Sequence, residues 1–389
     1  MFDVLSEARA VQPQVVAWRR QFHRRPELSM QEFVTTGAIA EALKKMGLEP
    51  KLLTPTGCIA EIRGAKSGPT MALRADIDAL AVEELGACPF KSENPGRNHA
   101  CGHDTHAAML LGTAEILRSH TEDLAGTVRL IFQPGEETGE GAKAVIAQGG
   151  MDGVAACFAV HIFSQSPPGI LTTKAGGMFP AVGQFKITVT GKTCHGAMPH
   201  VGADATVAAS AVVMNLQSIV SREVNPLTPV VVSVGSFHSG TIYNAISGEA
   251  VMEGTVRLFD EALHRRMPDI LARIAHDTAG AFRCAAKVDY IFGSRALITD
   301  EDVTHIAQRA ALKLLPDPEM LLDWPGAMGG EDFAEYTSRV PCSYVGLGGG
   351  GNYPQHNERF EIDEEAMVTG TALNVQFALD FGASKTAAR

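Results

Sequence analysis

The sequence predicts an α/β protein in which a mixed sheet covered by helices is interrupted by a smaller domain of β-α-β-β-α-β order. Three observations carry this expectation. Strand-like and helical runs alternate from Gly57 to Val160, the order changes between Gly183 and Phe292, and helical patterns with a further strand resume beyond it. Helical periodicity first covers Val15 to Arg24 and Met30 to Met46, the second opened by Ser29-x-x-Glu32, the spacing of a capping box, and stopped by Gly47. Strand-like runs follow at Gly57–Gly64, Thr70–Ala75, Thr127–Phe132 and Ala156–Val160, with helical patterns at Asp104–Ser119 and Ala142–Gln148.

The middle segment reads strand Gln184–Thr190, helix Asp204–Ser221, strands Val230–Phe237 and Glu249–Leu258, helix Glu261–Ala281, strand Ala285–Phe292. That order is ferredoxin-like and makes a complete small domain. Residues 182–293 are therefore expected to be an insertion, and residues 1–181 and 294–389 the two parts of the domain it interrupts. Helical patterns at Asp302–Leu315 and Glu365–Phe381 and a strand at Ser343–Leu347 belong to the second part, and the tail Ala383–Arg389 is expected to fray.

With 389 residues, 45% hydrophobic and 20% charged, the chain has ordinary globular composition and can bury a large core. Its 33 basic and 44 acidic side chains leave a net charge of −11, which argues against general binding to nucleic acid or an anionic membrane surface. There is no uninterrupted apolar run of about 18 residues, and Met1-Phe2-Asp3-Val4 lacks the basic start of a signal peptide, so a cytoplasmic location is expected. The seven cysteines are scattered and odd in number, which predicts reduced thiols.

In an open α/β sheet the ligand crevice lies beyond the carboxyl ends of the strands, and the chemically suggestive residues fall there. Thr70–Ala75 runs into Asp76-Ile77-Asp78, Thr127–Phe132 into Gln133-Pro134-Gly135-Glu136-Glu137, and Ala156–Val160 into His161. His99-Ala100-Cys101-Gly102-His103-Asp104-Thr105-His106 precedes a helix, with thiol and imidazole in a C-x-H pair that Gly102 can bend toward one point. A C-x-H in isolation is more often a capped helix start, here with Asp104 as the cap; a minor alternative is a thiol nucleophile, Cys101 with His103 or His106 as base. The added histidines and strand-end acids favour a metal site. Adjacent carboxylates Glu136 and Glu137 on a sharp turn can divide labour, one binding metal and one moving a proton. Asp76 and Asp78 share a face if the strand continues, and can orient a ligand histidine. His356 follows a glycine-rich turn after Ser343–Leu347, the same topological place. In the insertion, the polar loop with His195 and His200 ends the first strand, and Asn244 and Arg257 suit contacts to a substrate carboxylate.

Taken together, the blocks Phe22 to Leu28, Leu73 to Leu80, His99 to His106, Gln133 to Glu137, the His195 loop, Gly329-Gly330-Glu331-Asp332-Phe333 and His356-Asn357 resemble those of the dinuclear-metal aminoacylase/carboxypeptidase superfamily. More narrowly, the chain is similar to the branch of hippurate hydrolases, N-acyl-amino-acid amidohydrolases and auxin-conjugate hydrolases. The resemblance implies that Cys101, His103, Glu137, His161 and His356 bind two divalent metal ions, that Glu136 is the general base, and that Asp78 is the orienting aspartate. It implies that the interrupted domain is catalytic and that the inserted one is a lid through which a homodimer forms. His195 would reach the other subunit's active site, His200 being the alternative for that contact, and Asn244 and Arg257 would contact substrate.

The implied reaction is hydrolysis of the amide bond of a small N-acylated amino acid by a metal-activated water. A metallo-carboxypeptidase or dipeptidase of the same superfamily, and a non-catalytic metal- or peptide-binding relative, are the alternatives. Zinc, manganese, cobalt and nickel all suit mixed Cys, His and Glu ligation. Two departures stand out. Asp76 occupies the place where the wider superfamily has a histidine, and Ile162 to Gly169 differs from the aromatic-containing form of the branch, which leaves acyl specificity open.

Overall fold

The computed structural model describes residues 2–386. Along the chain run α1 (Val4–Arg24), α2 (Phe33–Lys45), β1 (Lys51–Leu52), β2 (Cys58–Arg63), β3 (Lys66–Asp76), α3 (His103–Ser119), β4 (Ala125–Gln133), α4 (Gly141–Ala147), β5 (Val154–Phe163), β6 (Leu171–Thr173) and β7 (Gly176–Phe179). Then come β8 (Ala181–Thr190), β9 (Cys194–His195), α5 (Ala205–Ser218), β10 (Val230–Ser239), β11 (Ala245–Ile246), β12 (Glu249–Leu258), α6 (Glu261–Ala281) and β13 (Ala285–Phe292). The chain closes with β14 (Leu297–Thr299), α7 (Glu301–Leu314), β15 (Leu321–Asp323), α8 (Ala334–Thr337), β16 (Cys342–Gly348) and α9 (Ala366–Thr386). Two compact units result, one from the residues up to Met178 with Ile298–Gly326 and those from Glu331 on, the other from Phe179–Leu297 with Ala327–Gly330.

The first unit is built on an eight-stranded sheet of order β1-β2-β4-β3-β5-β16-β6-β15. β3 is parallel to both β4 and β5, and β16 is parallel to β5, whereas β2 is antiparallel to β4, so the sheet is mixed. β5 is buried along nearly its whole length, as a central parallel strand covered on both faces must be. α3 is apolar almost all round and correspondingly buried, packed against α1 and α9. The α1–α3 approach depends on Gly112, where a Cβ would stand 2.5 Å from a Val15 methyl.

The second unit has a four-stranded antiparallel sheet of order β10-β12-β8-β13 with α5 and α6 packed against it. Alternating burial along β8 puts Phe185, Ile187 and Val189 into a core shared with Ala208, Val212, Met252 and Leu271. All seven cysteines are free, and among the described residues no helix is long and apolar enough to cross a membrane.

Several local expectations need correction. Ser29 and Glu32 make no capping box. The Ser29 hydroxyl donates to Asp78 Oδ2 at 2.7 Å, Glu32 accepts from the Met30 and Gly135 amides, and α2 starts without a side-chain cap. α1 begins at Val4, capped by Asp3, rather than at Val15, and runs through Pro13. α5 stops at Ser218 and gives way to a π-turn over Ile219–Glu223. Asp104 does not cap α3: Gly102 occupies that place with φ +93° and Asp104 sits in the first turn. The tail does not fray from Ala383, because α9 continues to Thr386; residues 387–389 lie outside the described residues.

Candidate metal centre

Because β3, β4, β5 and β16 run parallel, their carboxyl ends share one edge of the sheet. Asp76 ends β3, Gln133 ends β4 ahead of the Glu136-Glu137 turn, His161 lies two residues from the end of β5, and His356 lies in the segment beyond β16. Cys101 and His103 flank Gly102, whose left-handed backbone turns the chain into α3 where an added Cβ would meet Ile162 at 2.5 Å. His356 also has positive φ, +66°, its amide donating to Ala100 O at 2.7 Å. For a non-glycine residue that backbone is uncommon and is held only by its surroundings.

The side chains converge. Cys101 Sγ is 3.6 Å from His161 Nε2, His103 Nε2 is 3.9 Å from Glu137 Oε1, and His356 Nε2 is 3.5 Å from that same oxygen. Donor atoms of Cys101, His103 and His161, of Cys101, Glu137 and His356, and of His103, Glu136 and Glu137 each lie within 4.8 Å of one another. Asp78 organises them: its Oδ1 accepts from His103 Nδ1 at 3.0 Å and its Oδ2 from the Glu137 amide at 3.0 Å. His161 donates from Nδ1 to Ile162 O at 2.8 Å, which turns Nε2 toward Cys101.

Two atoms in this cluster, His103 Nε2 and Glu137 Oε1, are buried without a hydrogen-bond partner. Such orphans are costly unless something satisfies them. Imidazole, thiolate and carboxylate are the donors that a zinc-like cation takes, so the donor set fits divalent metal.

Burial and neighbouring charges together set the electrostatics of the cluster. Burial, with Glu331, Asp332 and Glu137 nearby, holds the Glu136 carboxyl well above the usual carboxylate range, and burial likewise raises Glu137 against the pull of His103 and His356. Burial opposes a charge on His103 but is outweighed by Asp76, Cys101 and Asp78, which hold its pKa well above the ordinary histidine value. His161 is driven well below that value by burial and by His106, and so presents a neutral imidazole. Burial also pushes the Cys101 thiol far up, the reverse of an activated nucleophile.

The remaining residues singled out in the sequence lie in the second unit. His195 lies on the two-stranded β9–β11 ribbon, paired with Ala245, and Asn244 immediately precedes β11, its carbonyl accepting the Gly196 amide at 2.7 Å; both residues are exposed. His200 is exposed in a short 3₁₀ turn. Arg257 is elsewhere: in the sheet register it faces Val182, while Glu249 faces Thr190, the residue leading into the His195 loop, so Arg257 sits at the opposite end of the sheet from that loop. Its guanidinium donates to Met328 O, Val256 O and Thr255 Oγ1.

The model of peptidase family M20/M25/M40 matches residues 72–380. The chain belongs to this family. It is 39% identical over 360 residues to the N-acetyl-L-cysteine deacetylase of Bacillus subtilis (strain 168), covering 92% of this chain and 86% of that one. It is 42% identical over 294 residues to the N-acyl-L-amino acid amidohydrolase of Geobacillus stearothermophilus, covering 75% of this chain and 80% of the relative. Its fold superposes with a TM-score of 0.85 and 34% identity on the crystal structure of the Bacillus subtilis YXEP protein, described as a dinuclear metal binding peptidase from the M20 family, covering 95% and 98% of the two chains.

In this M20/M25/M40 member a buried layer beneath the cluster went unrecognised in the sequence. Arg74 on β3 contacts Asp76 at 2.6 Å, Asp332 at 2.9 Å and Glu331 at 3.0 Å, while Gln133 binds Asp332 and Tyr344 donates to Glu331 Oε2 at 2.8 Å. The Asp332 amide donates to Glu136 Oε1 at 3.3 Å, and burial raises the Asp332 carboxyl to about 7 despite Arg74. Asp76 is also 2.5 Å from His106 Nδ1, whose Nε2 accepts the Ile162 amide at 2.9 Å, and its Oδ2 lies 3.8 Å from His103 Nε2, so Asp76 is shared among Arg74, His106 and the His103 side of the cluster. The available signal was an arginine in a central buried strand, which requires carboxylate partners.

Proposed function

We propose that the chain is a metal-dependent amidohydrolase that cleaves the amide of small N-acylated amino acids, hippurate-like or N-acetyl and longer acyl forms, with Glu136 as general base. The observation that carries this reading is the pair of buried, unbonded donor atoms of His103 and Glu137, with the Glu136 carboxylate beside them and held by the Asp332 amide. Cys101, His103, Glu137, His161 and His356 would hold two divalent cations, zinc, manganese, cobalt or nickel, with Asp78 fixing the His103 ring. Bound there, such ions lower the pKa of water from about 16 toward about 7 and polarise a carbonyl.

Within that frame this chain's residues divide the work. Glu136 would take the proton of the attacking water and pass it to the departing amine. Cys101 supplies a ligand rather than a nucleophile. His195 of a second copy would donate to the oxyanion, and Asn244 of that same copy together with Arg257 of the first would bind the free carboxylate of the amino acid. The separation of Arg257 from the His195 loop within one sheet supports contributions from two copies, hence a homodimer through the second unit. His200 is kept as the alternative to His195. Seven free thiols support a cytoplasmic setting.

The test is hydrolysis of a panel of acetyl, benzoyl, longer-acyl and indole-acyl amino acids and dipeptides by metal-free protein reconstituted with each cation in turn. Metal-dependent release of the amino acid from acyl conjugates is the expected result. Turnover of dipeptides alone would move the assignment to a peptidase, and no turnover with metal loaded would reduce the protein to a binding relative.

A further inference from the structure

The first unit contains a second concentration of metal-binding chemistry, in the wall of a cavity of about 840 Å³ lined by Arg19, His23, Glu84, Cys88 and Phe90, among others. His23 Nε2 is 3.2 Å from Glu84 Oε1, and Cys88 Sγ is 3.3 Å from that same oxygen. Each donor is anchored on its far side. His23 Nδ1 is 2.9 Å from Asp104 Oδ2, which Arg19 also contacts at 3.2 Å, and Glu84 Oε2 accepts the Ser92 amide at 2.6 Å. A carboxylate on the second ring nitrogen is the usual support of a metal-binding histidine, and Asp104 occupies that position. His23 and Glu84 are buried, whereas Cys88 is partly exposed beside the cavity, which gives an ion an entry path and water to complete its shell.

We propose that His23, Glu84 and Cys88 form a further divalent-cation site of zinc type, separate from the cluster around His103. Metal bonds of about 2.0–2.3 Å in a tetrahedral site set neighbouring donors roughly 3.3–3.6 Å apart, close to the spacings found here. As the side chains stand, two donors, the Nε2–H of His23 and the thiol of Cys88, direct their protons at one carboxylate oxygen. The exchange balances. A doubly charged ion displaces the Cys88 thiol proton and the second proton of the His23 imidazolium, both leave to solvent, and the charge of the cavity wall is unchanged. Thiolate, imidazole and carboxylate together favour zinc over the harder magnesium or calcium.

The experiment is zinc titration of the metal-free full chain, the Cys88→Ser variant and the Glu84→Gln variant, in weak buffer so that released protons are counted. Alkylation of Cys88, read on its peptide, is followed with and without zinc. The expected result is one more tightly bound zinc in the parent than in either variant, and zinc protection of Cys88 in the parent that is absent in Glu84→Gln. Equal stoichiometry in all three proteins, or Cys88 of the parent alkylated at the same rate with and without zinc, would overturn the proposal and leave His23 held between two carboxylates. The comparison is a difference between variants, so it reads this site whether or not the His103 cluster binds its own ions.

Discussion

His103 and His195 stand in opposite kinds of surroundings. In the first unit His103 is fully buried, held through Nδ1 by Asp78, and aims an unbonded Nε2 at Glu137. In the second unit His195 is exposed on a two-residue strand, its Nδ1 accepting only the Ala197 amide at 3.1 Å, and Arg257 lies at the far end of the same sheet. A pre-arranged group needs no reordering when substrate arrives, and so contributes to catalysis from within one copy. An exposed group that lacks its partners gains a function only when something else is brought to it. The contrast predicts that substitutions in the first unit act on one chain alone, while those in the second are rescued by another chain.

The largest effect is expected at Glu136. Glu136→Gln should retain its metal, measured by elemental analysis, and lose kcat by about 10²–10⁴-fold, the range for removal of a positioned general base. Near-normal turnover would remove the proposed role. Next comes His195→Ala, with a loss of about 10²–10³-fold in kcat if it supplies an oxyanion donor. Mixing the Glu136→Gln and His195→Ala proteins under conditions of subunit exchange should restore activity that neither has alone. Failure of the mixture, with mixed dimers demonstrated, would place His195 outside the partner's site and break the contrast.

The fold was legible where periodicity and burial agree. β12 and α6 run as the pattern indicates because each repeats around one buried face, and β13 because exposed positions alternate with half-buried ones. The first part of α1, before Val15, went unread; packing against α3 and α9 holds it helical in spite of Pro13. In the candidate site, the strand-end residues were legible from topology alone. The pairing of Arg74 with Glu331 and Asp332 was not, although the blocks that hold them stand out, because it is long-range: Arg74 and Asp332 are 258 positions apart in sequence and 2.9 Å apart in space. The capping-box motif Ser29-x-x-Glu32 misled for the same reason. Asp78 and Gly135, distant in sequence, compete for both side chains.

A milder change sharpens the account of the first unit. Asp78 touches none of the unbonded atoms directly and orients His103 and the Glu137 turn. Asp78→Asn should therefore weaken metal affinity by about 10–100-fold, with activity recovered at high metal concentration, as a positioning role requires. If excess metal fails to recover it, Asp78 does more than orient.

The smallest effect belongs to the second unit and asks whether the two units melt as one. Asp204 caps α5, its Oδ1 accepting from the Thr206 amide at 2.9 Å and the Val207 amide at 3.2 Å. Removing such a cap costs about 1 kcal/mol (range about 0.5–2), whereas asparagine caps about as well. Asp204→Ala should lower the melting of the second unit by a few degrees while Asp204→Asn leaves it in place, and the metal content of the first unit should be the same in both. Two calorimetric transitions, only one of them moved by the alanine variant, would show that each unit's core carries its own cooperativity. A single transition displaced as a whole would mean that the buried cluster of the first unit and the exposed ribbon of the second share one folding equilibrium, and the contrast between them would then lie in chemistry alone.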